Sequence, residues 1–525
     1  MISALTNSGD SPHSSRPSAI AEAAVVIALL CALVCSSALW CFHRGYLLYY
    51  GDAQAHLNIS RSIIDSRTPG YDQIGTVWLP LLHVICLPFV RNDSLWSSGL
   101  AGTIPVAVCF VVAGVCFYLA ARDIYQSSIA ASVVVACFAV NPNTLYLASI
   151  PMTEVVFLAG LAVMLLALFR FRRTQERRFV WLGIAAVWSM SLTRYDGWFL
   201  IPFASLGFAL FSRNRRWLTL ILFGLIASFA PLYWTAHNWW ETGHALDFYN
   251  GPYSPIAIQG SKPYSGYHDW KLALLYYSAA AELCAGWPLL LLGCIGAACA
   301  AAKKVITPLL FLLLTPAFYV WSIHSSGATP IHVPQLWPFT YYNTRYGIAV
   351  VPLAAFAAGA IVLALPVRLR RYAFMVPLLS VAIWMLRPSP ESWICWKESQ
   401  VNSIARRAWT KASADFLFAN YHRGDGALAR FGDLTGIFCR ARIPLAETLH
   451  EGNGPAWFAA TSRPDLFHPE DWAIAQQGDS VFDAVNARTN APYRMNHEIQ
   501  VKDAPVIEIY KRSTEAGLSA GKGER

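Results

Sequence analysis

In a chain of 525 residues, 55% hydrophobic and only 14% charged, a few ionisable side chains stand at the ends of long apolar stretches. Such groups are costly near membrane depth and mark functional positions by default. The first is Asp52, in Tyr49-Tyr50-Gly51-Asp52-Ala53-Gln54-Ala55-His56. A carboxylate there can take a proton as a general base or cap the amphipathic helix it opens, and the two roles are compatible. His56 follows one helical turn later on the same face. Two ligands are too few for a metal site on their own. The second is Glu154, in Ser149-Ile150-Pro151-Met152-Thr153-Glu154, where a carboxylate can serve a site or, with Thr153, favour a helix N-terminus through the macrodipole. The third is the charged turn Thr193-Arg194-Tyr195-Asp196-Gly197, whose arginine and aspartate can act on a ligand or neutralise each other. The fourth is Asn343-Thr344-Arg345-Tyr346-Gly347, where Arg345 can meet an anion or snorkel to the interface.

These residues depend on the apolar elements around them. A soluble chain is about 25% charged, so the deficit here is large, and it is concentrated in residues 19–386. About 20 apolar residues span a bilayer core. Eleven apolar segments are legible: 19–42, 98–121, 128–140, 153–169, 179–193, 197–211, 217–235, 271–301, 305–322, 347–365 and 372–386. The first is longer than a signal-peptide core and reads as a retained anchor after a polar, Ser-rich stretch, residues 1–18. With that stretch in the cytoplasm, the short basic loops all fall on one side: Arg122; Arg170, Arg172, Arg173, Arg177 and Arg178; Arg213, Arg215 and Arg216; Lys303 and Lys304; Arg368, Arg370 and Arg371. Strict alternation thus satisfies the positive-inside rule and puts residues 387–525 outside the cytoplasm. Asp52, Glu154, the Arg194 turn and Arg345 all come out on the outer side. Four separate helix caps have no reason to share a side, whereas one active site at the outer membrane face requires it.

Long outer loops cover residues 43–97, 236–270 and 323–346. Loops of this length are functional or disordered, and these are too aromatic for disorder; the expectation is that they pack together and roof a cavity. Residues 141–152 read as a short loop. The last 139 residues read as an α/β domain. Residues 402–421 have helical spacing, Ala427–Phe431 and Trp472–Ala475 look like strands, and a helical stretch surrounds Val481–Val485. Glu498–Val501 and Val506–Tyr510 form a hairpin through Lys502–Pro505. Of twelve cysteines, only Cys395 and Cys439 fall in this part, where an oxidising compartment would let them pair. No CxxC pair, Walker-type loop, GxGxxG or internal repeat is present.

The net charge of +9 belongs to orientation-setting loops rather than to a nucleic-acid surface. A polytopic transporter would need polar groups near the midplane and often shows repeated halves, and the midspan positions here are nearly free of charge. A non-catalytic envelope-assembly protein is the other alternative.

Gly51-Asp52-Ala53, with Thr68-Pro69-Gly70 and Trp78-Leu79-Pro80-Leu81 behind it, resembles the GT-C superfamily of membrane glycosyltransferases. The nearest group is the bacterial one related to protein O-mannosyltransferases and lipid A aminoarabinose transferases. Thr153-Glu154 and Asn343-Thr344-Arg345-Tyr346-Gly347 are similar to that family's later motifs, and the resemblance covers about residues 20–365. Asp52-Ala53 stands where the mannosyltransferase branch has paired acidic residues. The resemblance implies a polytopic helical fold of about eleven transmembrane helices with an extracytoplasmic α/β domain. It implies a sugar donor carried on a dolichyl- or undecaprenyl-type phosphate and an acceptor hydroxyl on lipid, glycan or protein. Asp52 would be the catalytic base and Glu154 a second acidic site residue. Arg345 and Arg194 would meet the donor phosphate, with His56, Asp196 and Tyr346 in support. The metal is left unassigned, with room for a divalent ion. A lipid-linked donor needs no soluble nucleotide site, and none is visible in the sequence.

Overall fold

The computed structural model describes residues 16–467, 470–486 and 492–513. The polar N-terminus read over residues 1–18 lies, up to residue 15, outside the described residues. The described chain divides into two compact units. One is Met1–Tyr46, Thr76–Leu82 and Thr103–Glu398; the other is Leu47–Gly75, His83–Gly102 and Ser399–Arg525.

The first unit is helical. Six described helices are long and apolar enough to cross a membrane: Ile20–His43, Leu100–Tyr125, Thr153–Thr174, Arg216–Thr242, Thr307–Ser325 and Thr344–Ala364. Two bent pairs bring the number to eight if each is one span. The chain is therefore a multi-pass integral membrane protein. Eleven spans are not reached on this criterion: Arg177–Ser191 and Asp196–Phe211 have only 15 and 16 residues, and elsewhere apolarity runs on through places where the helix stops. Segment 271–301 breaks into Trp270–Ala285 and Trp287–Ala302 with a bend of 103°. At the break Gly286 holds a φ of +78°, which costs a glycine little, and Pro288 stands in the first turn of the next helix, where its missing N–H is harmless. The stretch read as the loop 141–152 holds a helix, Pro142–Ala148, after a 69° bend; Asn141 caps it by accepting from Asn143 N and Thr144 N. Segment 372–386 is split into Met375–Ser380 and Ala382–Leu386.

Thr153–Thr174 lies inside this unit and is almost wholly buried. It packs along Arg177–Ser191 and Asp196–Phe211. Trp287–Ala302 lies against Val350–Ala364, where Gly293 and Gly296 face Ala354 and Ala357. Small residues let backbones approach closely when lipid supplies no hydrophobic drive between helices. Stretches 236–270 and 323–346 pack on each other: Tyr264 Oη donates to the Ile323 carbonyl at 2.9 Å and the Trp270 and His324 rings stack at 3.9 Å.

The second unit carries the α/β part. Strands β1 (Ala427–Ala429), β2 (Thr448–Leu449), β3 (Trp472–Gln476), β4 (Tyr493–Ile499) and β5 (Ile507–Arg512) form one sheet in the order β2-β1-β3-β5-β4. β1 pairs parallel with β2 and β3, and β5 pairs antiparallel with β3 and β4. Leu428, Leu449, Trp457, Ala473, Val481 and Tyr510 form its core. Within the same unit the early segment is tied to this domain: Asp65 accepts from Leu445 N and Ala446 N, and Asn453 Nδ2 donates to Ser66 and Thr68. Cys395 and Cys439, the pair open to an oxidising compartment, are not joined to each other.

Candidate active site

The ends of several apolar helices in the first unit bring together a buried ionic cluster. Arg194 follows the helix Arg177–Ser191. Its Nη1 donates to Thr153 Oγ1 at 2.8 Å and Glu154 Oε1 at 3.2 Å, its Nη2 to Tyr319 Oη at 3.0 Å, and its Nε to Asp196 Oδ2 at 3.4 Å. Arg345 shares the same glutamate: its Nε donates to Glu154 Oε1 at 3.1 Å and its Nη1 to Glu398 Oε1 at 3.0 Å. Tyr319 Oη donates to Asp196 Oδ2 at 2.5 Å. The Tyr346 ring lies beside both cations, 5.0 Å from the Arg194 guanidinium and 5.3 Å from that of Arg345, and stacks on Tyr319. The side chains of Glu154 and Glu398 are each 2% exposed.

Local sequence explains the placement. Met152, not Thr153, is the N-cap of Thr153–Thr174, and it makes no side-chain cap bond. The Thr153 hydroxyl serves Arg194 instead. Glu154 and Asp196 each sit in the first turn of their helix, where the positive end of the macrodipole favours a carboxylate. Arg345 lies on the 3₁₀ turn Thr344–Ala349, entered through Asn343 at a φ of +54°. Gly347 on that turn lies against the Ala280 backbone, with no room for a side chain.

Two arginines thus face three carboxylates, Glu154, Asp196 and Glu398. Burial raises the pKa of Glu398, while Arg345 and the Thr344 hydroxyl pull it down. Two buried polar atoms, Glu154 Oε2 and the Oη of Tyr277, whose ring stacks on Tyr319, have no hydrogen-bond partner among the described residues. Such atoms are rare in native proteins and call for an account.

Glu154, Arg194, Asp196, Arg345 and Tyr346 are therefore neighbours. Asp52 and His56 belong to the second unit. Asp52 stands in the first turn of Gly51–Ser62, but the N-cap is Tyr50, with no side-chain cap bond. The Arg406 guanidinium donates to the Leu48 carbonyl at 3.4 Å and the Tyr49 carbonyl at 2.5 Å. Burial lowers its pKa, and the fields of Asp433 and Asp52 oppose that. The Arg407 guanidinium lies 3.9 Å from the Tyr49 ring centroid. His56 Nδ1 is 2.9 Å from His83 Nε2, so its partner is a second imidazole. Among the described residues no group of three or more His, Cys, Asp or Glu is placed to hold a metal ion.

Sequence reasoning missed Glu398, Tyr319 and Tyr277, and named Thr344 only as part of its motif. Glu398 was the readable one. It follows Trp393-Ile394-Cys395-Trp396, three residues after Cys395 and so on the same helical face.

Residues 95–240 match the family described as Dolichyl-phosphate-mannose-protein mannosyltransferase. The chain is similar in fold, over most of its length, to the crystal structure of ArnT from Cupriavidus metallidurans in the apo state. The TM-score is 0.52 at 14% identity, over 87% of this chain and 93% of that one. No curated protein matches in sequence. Family match and fold agree on the GT-C superfamily of membrane glycosyltransferases.

Proposed function

We propose that this protein moves a sugar from a polyprenyl-phosphate carrier to an acceptor hydroxyl on the extracytoplasmic side of the membrane, inverting the anomeric centre. The observation that carries the reading is the buried cluster in which Glu154 and Glu398 hold Arg345, and Glu154 and Asp196 hold Arg194. Burying this much charge is a poor way to gain stability, because desolvation offsets most of the attraction. Its use is to fix two guanidinium groups before a ligand arrives, and electrostatic preorganisation of this kind commonly contributes more to catalysis than any other single effect. The matched family is described by a dolichyl-phosphate-mannose donor, which supports a polyprenyl phosphate here.

In the reaction the acceptor oxygen attacks the anomeric carbon while the bond from that carbon to the phosphate oxygen breaks. The leaving polyprenyl phosphate carries off the electron pair. Arg345 balances its developing charge through a planar fork suited to phosphate, and Arg194 adds a second cation behind the shared Glu154. Both cations are already paired, so the phosphate must compete with carboxylates. Glu398, with its raised pKa, is the carboxylate that gives up its charge at least cost. Asp52 takes the proton of the acceptor hydroxyl. It stands in a helix first turn whose cap position belongs to Tyr50, so the role of base does not compete with that of cap. Polyprenyl phosphate is a good leaving group, so no separate general acid is required. Residues 387–525 lie outside the cytoplasm in this reading.

Mass spectrometry of surface glycans and glycolipids from cells with and without the protein tests the proposal. A sugar lost on deletion and restored by the intact gene is expected. Identical glycan profiles in the two cell lines, with purified protein inert toward polyprenyl-phosphate sugars, would overturn it.

A further inference from the structure

We propose that Cys284 and Cys395 are a disulfide-forming pair that braces the ion cluster. Their sulfur atoms lie 4.0 Å apart, and both residues are 0% exposed. The approach is fixed by the backbone. Asn143 bridges the two cysteines: its Nδ2 donates to the Cys284 carbonyl at 3.0 Å, and its Oδ1 accepts from Cys395 N at 3.0 Å. Asn141 Nδ2 donates to the same Cys284 carbonyl at 3.0 Å. One side chain thus sets the register of both, and bonding requires the sulfurs to close from 4.0 Å to about 2.05 Å.

The pair also adjoins the site. The Cys284 thiol donates to the Thr344 carbonyl at 3.2 Å, the residue before Arg345. Cys395 precedes Glu398 by three residues on the helix Ile394–Asn420. A bond here ties the end of Trp270–Ala285 to the start of that helix, and so holds Glu398 against Thr344 and Arg345. Cys284 and Cys395 are 111 residues apart in sequence, and the entropy removed from the unfolded chain by a cross-link rises with loop length.

The bond forms by thiol–disulfide exchange with a donor disulfide. One cysteine loses its proton and attacks the donor, breaking the donor S–S bond and releasing one thiolate. The second cysteine then loses its proton and attacks the mixed disulfide at the first cysteine's sulfur, releasing the second thiolate. The two protons end on the two released thiols, and the donor takes up the two electrons. Burial, then the neighbouring Cys284 thiol, holds the pKa of Cys395 well above the usual thiol range. Exchange runs through thiolate, so the bond belongs to the folding chain, before this region closes. The inference rests on the outer placement of residues 387–525, since disulfides persist in oxidising compartments.

The test is differential alkylation of the full-length protein in its native membranes. Membranes are quenched in acid, denatured and treated with N-ethylmaleimide, then reduced and treated with its deuterated form, and the peptides are read by mass spectrometry. Cys284 and Cys395 should carry the deuterated label, and an unreduced digest should yield the two peptides linked. In Cys284→Ser, Cys395 should switch to the first label. First label on both cysteines of the wild type, or deuterated label persisting on Cys395 in Cys284→Ser, overturns the proposal. A reporter fused after Pro388 is read in parallel. Unlinked thiols with an extracytoplasmic reporter sink the disulfide alone, and unlinked thiols with a cytoplasmic reporter sink the sidedness as well.

Discussion

Removing Glu398 separates a structured site from a scatter of paired charges. Its carboxylate accepts from Arg345 Nη1 at 3.0 Å, from Arg345 N at 3.3 Å and from the Thr344 hydroxyl. Breaking a buried pair by deleting one partner costs about 3–5 kcal/mol. Arg345 keeps Glu154 at 3.1 Å, which places that loss near the lower end. A stranded hydroxyl and a stranded N–H add about 1 kcal/mol each. Glu398→Ala should therefore destabilise the protein by about 4–5 kcal/mol on these figures, and Glu398→Gln, which keeps an acceptor oxygen, by roughly 1–2 kcal/mol. The pH dependence follows from the raised pKa of Glu398. Between the unfolded value and the folded value the native state binds more protons than the unfolded chain, so this group's contribution is full below the unfolded pKa and is lost as pH rises through the folded one. Glu398→Gln removes that loss and flattens the profile above about pH 4.5. Unfolding by SDS titration in mixed micelles, followed by tryptophan fluorescence across pH, measures both effects. An alanine variant within about 0.5 kcal/mol of wild type, the range of an ordinary surface substitution, would refute the reasoning.

Arg345→Lys should lower transfer at least tenfold, because a bidentate fork becomes a point charge; steady-state kinetics with a lipid-linked donor decide, and an unchanged rate with unchanged donor affinity would leave Arg345 as a structural ion-pair partner. Gly347→Ala should reduce both folded yield and activity, because a methyl group there meets the Ala280 backbone; size-exclusion profiles and turnover of wild-type quality would contradict it. Reporter fusions after Pro388 should be active only in an extracytoplasmic assay.

Of the charged members of the cluster, Glu154, Arg194, Asp196 and Arg345 were legible because each stands at the edge of an apolar stretch. Thr193-Arg194-Tyr195-Asp196-Gly197 stands between two such segments, and Asn343–Gly347 stands before another. Their mutual contacts were not legible, since hydropathy says nothing about which helix ends converge. Glu398 escaped notice because the apolar pattern stops at residue 386, and a carboxylate beyond it reads as solvated, yet it is 1% exposed. Helix breaks inside the apolar segments were hidden for the opposite reason. Apolarity is continuous across Gly286 and Val381, so composition saw one segment where the backbone makes two helices. In the sheet, β4 begins at Tyr493 rather than Glu498, because its five middle residues are all exposed and show no alternation to read. Strand β2 has two residues, too few to leave a pattern.

The central claim is that Asp52 is the base of a sugar transfer, and Asp52→Asn tests it most directly. Tyr50, not Asp52, holds the cap position, so what the change takes from the helix is a charge near its N-terminus, worth about 0.3–1 kcal/mol, and the protein should fold and bind its lipid donor as before. Turnover measured with saturating polyprenyl-phosphate sugar should fall by roughly two to four orders of magnitude. An Asp52→Asn protein that turns over at the wild-type rate would show that the carboxylate is a helix-end charge and that the chemistry lies elsewhere.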